Sequence, residues 1–77
     1  MIVSFAKSFQ KIYTNLDPTL KKKVNKQIAF LINNPRHPSL KFKKYNKDIY
    51  QAYVDRKHRM LGILKGNELK LFDLFNK

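Results

Sequence analysis

Ile49-Tyr50-Gln51-Ala52-Tyr53-Val54, Asp55-Arg56-Lys57, His58-Arg59-Met60-Leu61-Gly62-Ile63-Leu64, Lys65-Gly66-Asn67 and Glu68-Leu69-Lys70-Leu71-Phe72-Asp73-Leu74-Phe75 follow one another without interruption, and the fold turns on how they are read. The long runs are rich in β-branched, aromatic and aliphatic residues, the composition that suits a pleated, half-buried surface. Each short triplet is polar, and the second holds a glycine suited to positive φ. Three antiparallel strands joined by tight turns are the expectation.

Alternation then assigns faces, because successive strand side chains point to opposite sides of a sheet. With Tyr50, Ala52 and Val54 turned toward a covering layer, Gln51 and Tyr53 face outward. In the next strand Met60 and Leu64 turn inward, while Arg59, Leu61 and Ile63 share the outer face with Tyr53. That face is therefore expected to mix charge with apolar surface, and a bulge would shift the assignment.

Upstream of the strands, Asn46-Lys47-Asp48 reads as a turn, and Leu40 and Phe42 alternate with Lys41 and Lys43 as extended chain. Before that the period changes to helical. Leu20, Val24, Ile28 and Leu31 form one stripe of a helix expected from Pro18 to about Ile32. Asp17 offers its side chain to the free amides of the first turn, Pro18 fits the first helical position, and Asn33-Asn34-Pro35 ends the element. Phe5, Phe9, Ile12, Tyr13 and Leu16 make an earlier amphipathic helix, preceded by a short β-prone segment from Met1 to Ser4. Two helices with so short a link form an antiparallel hairpin. The expected class is α+β: a short N-terminal strand, a helix hairpin packed on one face of a small antiparallel sheet, and residues 1–77 as a single domain.

Seventeen Lys and Arg against five Asp and Glu give a net charge of +12 on 77 residues. That density points to a polyanionic partner, nucleic acid first, an acidic protein segment next, and anionic membrane last because the cations are not confined to one helix face. No cysteine is present, which excludes a disulfide framework and thiolate metal sites. Two distant histidines and scattered carboxylates lack ligand spacing, so neither metal nor cofactor is expected. No apolar run reaches the roughly 18 residues of a membrane span, and a cytoplasmic location is the default. Taken alone, the lysine run at 21–23 reads as a solvated helix face.

The order and spacing of Pro35-Arg36-His37-Pro38-Ser39-Leu40, Lys43-Lys44-Tyr45, Ile49-Tyr50-Gln51-Ala52-Tyr53-Val54, Asp55-Arg56, His58-Arg59-Met60 and the Gly66-Asn67 turn resemble the RelE/ParE superfamily of type II toxins. Its RelE-like members carry a similar "HPSL…KKL…IWEARV…YR" pattern, and the likeness runs over nearly the whole chain. The resemblance implies a RelE-like fold and a ribosome-dependent endoribonuclease that cuts mRNA and inhibits translation. It further implies a cognate antitoxin that holds the toxin inactive. Arg59 matches the arginine of the "YR" pair, Lys43 and Lys44 match the basic pair, and Lys77 falls near a basic or His residue at the C-terminal end. Gln51 and Tyr53 stand where RelE itself places two lysines, and the chain stops at Phe75-Asn76-Lys77 where related proteins often continue.

Cleavage by attack of a 2′-OH on the adjacent phosphate needs a base, stabilisation of the phosphorane charge and an acid for the leaving oxygen. A guanidinium stays charged and presents a planar fork to phosphate, which makes Arg59 the leading catalytic candidate. Lys43, His58 and Lys77 complete the catalytic set. Imidazole suits the proton transfers, yet His58 and Arg59 are strand neighbours and point to opposite faces, so a structural His58 is the competing reading. Lys41, Lys44, Lys47, Arg56 and Lys57 are expected to contact phosphates; Tyr45, Tyr50 and Tyr53 are candidates to stack bases, with Tyr50 assigned to the core by parity and Tyr53 facing outward. Two rival functions remain at this level: a non-cleaving RNA or ribosome binder of the same fold, and a ParE-like gyrase inhibitor. The antitoxin is expected to supply an acidic, partly disordered segment.

Overall fold

The computed structural model describes residues 1–76. The chain runs β1 (Ile2–Phe5), α1 (Lys7–Thr14), α2 (Pro18–Asn33), a 3-10 turn (Pro38–Leu40), β2 (Lys43–Asn46), β3 (Ile49–Tyr53), β4 (His58–Lys65) and β5 (Glu68–Asn76). The α+β order stands as expected, with one strand more than the three foreseen after the helices. The five strands lie in the order β1-β5-β4-β3-β2. β2 through β5 are antiparallel neighbours, and β1 joins the edge of β5 in parallel, which makes the sheet mixed.

Local chemistry explains the boundaries. Asp17 caps α2 by accepting from the Leu20 amide at 2.9 Å, and Pro18 takes the first helical position. Phe5, expected to open the first helix, instead ends β1 and stacks on Phe9 at 5.7 Å between centroids. Leu40 does not belong to a strand. Pro38 presets a helical φ, His37 caps the short turn through its ring, and Lys41 leaves it in the left-handed region at φ 43. That kink delays the strand to Lys43.

The core lies between the helix hairpin and the inner sheet face. Phe9, Val24, Leu31, Leu40, Met60, Leu69 and Leu71 are fully buried there. Gln27 is buried among them, and its amide donates to Ser39 O at 3.3 Å and Tyr53 O at 2.7 Å. One buried side chain thus ties α2 both to the 3-10 turn and to the end of β3, where a lone carbonyl would otherwise lack a partner.

β5 holds a departure from alternation. Leu69, Leu71 and Leu74 are all buried, at spacings of two and then three residues. The ladder slips here: Gly62 pairs with Leu71 and Leu61 with Asp73, leaving Phe72 as the extra residue of a bulge. Ser8 of α1 donates to the freed Phe72 carbonyl at 2.7 Å. Gly62 sits against this strand so closely that a Cβ would lie 2.8 Å from Leu69 Cδ1 and 3.1 Å from Lys70 O. The bulge also turns Phe75 to the outer face, directly across from Arg59.

Candidate nucleic-acid interface

Both helices pack on one face of the sheet, and the other face carries the candidate site. Register sets two adjacent rows across it. One runs Lys43, Gln51, Leu61, Asp73, and the next runs Tyr53, Arg59, Phe75. Lys43, Lys44, Tyr45, Gln51, Arg59 and Phe75 line a depression of about 440 Å³. Leu61 forms part of this outer face yet is only 8% exposed, with Gln51 and Asp73 beside it on the ladder. The face is cationic at its rim and apolar at its floor, the combination that suits a strand of bases and phosphates.

Arg59 is half-buried at one end of this depression. Its Nη1 donates to Asp55 O at 2.6 Å and His58 O at 3.0 Å, while the guanidinium carbon lies 4.5 Å from the centre of the Tyr53 ring. Lys41 approaches the same ring, its Nζ 4.7 Å from the centre. The Tyr53 ring, expected to stack a base, is therefore already engaged by two cations. Tyr45, 57% exposed, leaves its own ring open.

His58 turns the other way. Its Nδ1 lies 2.9 Å from Asp55 Oδ1, and Asp55 in turn pairs with Lys23 of α2 at 3.3 Å. Asp55 Oδ1 also accepts from the amides of Lys57 at 2.9 Å and His58 at 2.8 Å. Partial burial pushes the Asp55 carboxyl up, but bonds from the His58 ring, the Lys57 amide, the Lys23 ammonium and the His58 amide outweigh it and hold the pKa at about 2. Asp55 is thus the organiser of the β3–β4 turn, and the carbonyl on which Arg59 rests belongs to it.

The fold gathers Lys41, Lys43, Lys44, Tyr53 and Arg59 at one end of the outer face, with Arg56 and Lys57 exposed in the adjoining turn. Lys47 sits in the β2–β3 turn, at the far end of β3 from Tyr53 and Arg59. Lys77 lies outside the described residues. Two lining residues escape a reading of the sequence, Gln51 for want of charge and Phe75 because the bulge reverses its parity. The interval of three residues between Leu71 and Leu74, after one of two between Leu69 and Leu71, was the available signal. No helix among the described residues is long and apolar enough to cross a membrane.

No protein-family model matches the sequence, and no curated protein matches it. Solved structures do match along its whole length. A YoeB/ParE toxin from Agrobacterium tumefaciens superposes with a TM-score of 0.79 at 15% identity, covering 100% of this chain and 99% of that one. The chain has the fold of the RelE/ParE toxins. YafQ from E. coli strain BL21(DE3) also gives a TM-score of 0.79, at 18% identity over 97% of this chain and 91% of that one. The toxin of the intact E. coli RelBE toxin-antitoxin complex gives 0.74, at 14% identity over 99% and 95%. The chain thus has this architecture while sharing few residues with those toxins.

Proposed function

We propose that this protein is the toxin of a toxin-antitoxin pair and a ribosome-dependent mRNA endoribonuclease that acts through the outer sheet face. The observation that carries the proposal is the convergence of Arg59, Lys43, Lys44 and Tyr45 around one depression on the side of the sheet away from the helices. Arg59 stabilises the phosphorane charge, Lys43 and Lys44 hold the flanking phosphates, and Tyr45 stacks a base. The net charge of +12 supports a second partner, an acidic antitoxin segment. In the solved E. coli RelBE structure, the neighbour is complexed with its antitoxin.

The test is cleavage of message by purified protein in the presence of ribosomes. Arg59→Ala is expected to slow it by about 10²–10³-fold, the usual cost of removing one donor to a developing oxyanion. Unchanged cleavage by that variant defeats the assignment.

One observation favours a second reading, a toxin-like binder that does not cut. Among the described residues, the lining of the depression holds no histidine and no carboxylate, and His58 is bound to Asp55 on the other side of the strand. A proton acceptor at neutral pH then comes from outside this lining, from Asp73 on the neighbouring row, from the ribosome or from RNA itself. Growth arrest with intact message distinguishes this reading from the first.

A further inference from the structure

Two cations share the ring of Tyr53. Lys41 Nζ and the Arg59 guanidinium both lie within 5 Å of one ring centre. They arrive from opposite sides. Arg59 is the ladder partner of Tyr53 on β4, whereas Lys41 precedes β2, which borders β3 on its other edge. Two like charges brought to one ring repel each other, and the ring quadrupole offsets only part of that.

Lys41 is also held in a costly backbone conformation. Its φ of 43 is in the left-handed region, which a non-glycine residue enters at a cost of about 1 kcal/mol or more. The turn that sets it is locked from both sides: His37 Nδ1 accepts from the Ser39 amide at 3.1 Å, and Gln27 donates to Ser39 O. Gln27 reaches Tyr53 O as well, so one buried amide fixes the positions of both the lysine's turn and the ring. Strain retained at a surface cation, and tied to the element it faces, points to a ligand for that cation.

We infer that Lys41 and Arg59 form a two-phosphate clamp in which Tyr53 is the spacer, setting the distance between two backbone phosphates of a bound single strand and stacking no base itself. The inference rests on the reading of this face as an RNA site, but not on cleavage. Arg59 contributes Nε and Nη2 to its phosphate, since Nη1 is already spent on two carbonyls. Lys41 contributes a point charge. Tyr53 is a positioning residue, and the clamp reads the ribose-phosphate chain without regard to sequence.

Salt dependence separates a spacer from a stacking platform, because each phosphate contact to a single strand adds about 0.7 to the slope of log affinity against log salt, whereas stacking adds none. The probes are a short mixed-sequence oligoribonucleotide and an abasic ribose-phosphate strand of the same length. Lys41→Gln is expected to reduce the slope by about 0.7 on both probes, and Lys41→Arg to retain it. Tyr53→Leu is expected to lower the slope on both, to abolish any further effect of Lys41→Gln, and to leave the effect of Lys43→Gln in place. Tyr53→Phe recovers the parent slope. The clamp is overturned if Tyr53→Leu weakens the oligoribonucleotide equally at every salt concentration and spares the abasic strand, the signature of a stacking ring. It is equally overturned if Lys41→Gln leaves both slopes unchanged. Tight abasic-strand binding with no cleavage of message sinks the nuclease reading and leaves the clamp; cleavage with no loss on Tyr53→Leu does the reverse.

Discussion

Asp55 shows how much of the candidate site depends on a residue outside the lining of the depression. Its carboxylate accepts two amides of the β3–β4 turn, meets the His58 ring and pairs with Lys23, while its carbonyl receives the Arg59 guanidinium. The pKa is held at about 2 against an ordinary 3.8. A depressed carboxylate stabilises the fold above the unfolded value, and that contribution is lost as pH falls from 3.8 toward 2. It is of the order of 1 kcal/mol once solvent screening of so shallow a group is allowed for. Asp55→Asn is therefore expected to melt lower at neutral pH and to lose this part of the acid dependence, so that the two unfolding curves converge near pH 2. Acid titrations monitored by circular dichroism check it, and curves that stay parallel to the lowest pH refute the role. Arg56 and Lys57 announce this turn as polar, but nothing in Asp55-Arg56-Lys57-His58 tells that its acid serves as the turn's anchor. That depends on Lys23, 32 positions away.

At the scale of elements, the bulge in β5 is the decisive device. It lets Leu71 and Leu74 both enter the core and sends Asp73 and Phe75 outward. Gly62 makes the close approach to Leu69 and Lys70 that this strand requires, and a methyl group there meets a buried side chain and a backbone carbonyl. Gly62→Ala is expected to cost about 1–3 kcal/mol by overpacking, read as a lower midpoint in denaturant with an unchanged slope. A midpoint within error of the parent would mean that β5 yields, and that the bulge is not rigid. Most elements are legible in the residues because each has its own period: every third or fourth residue in the helices, every second from Ile49 to Leu64. Leu40 and Phe42 mislead because they alternate like a strand while Pro38 and the cap from His37 wind the chain into a turn. The bulge is legible only as a broken alternation, and which residue is extra is settled by Ser8 on a distant helix.

For the molecule as a whole, charge governs stability as well as partners. Twelve net positive charges on 77 residues repel one another in the compact state. A polyanion that binds only the folded chain relieves this and stabilises it by mass action, by about 2.7 kcal/mol at a hundred times its dissociation constant. For a domain of this size that corresponds to a rise in Tm on the order of 10–20 °C. Inorganic polyphosphate at low salt is expected to produce such a rise, and high salt to abolish it through screening. Thermal melts with and without polyphosphate measure it, and a salt-independent rise would point to apolar contacts instead. The class was visible in period, and composition pointed to a polyanionic partner. The gathering of the cations was not, because Lys41 and Arg59 meet only when β2 and β4 flank β3.

The edge strand carries a last consequence. β2 is exposed along its whole length, and its outer side presents a row of backbone donors and acceptors to solvent. Such a row invites a second copy of the chain to add on, and closely spaced lysines with an irregular register are among the ways an edge resists it. Lys43 and Lys44 occupy this strand, and its pairing with β3 shifts between Lys44 and Asn46. The side chains offered as phosphate contacts are thereby expected also to hinder such addition. Neutral variants at these positions carry two effects, and light scattering on each preparation tells weakened binding from protein lost to oligomers.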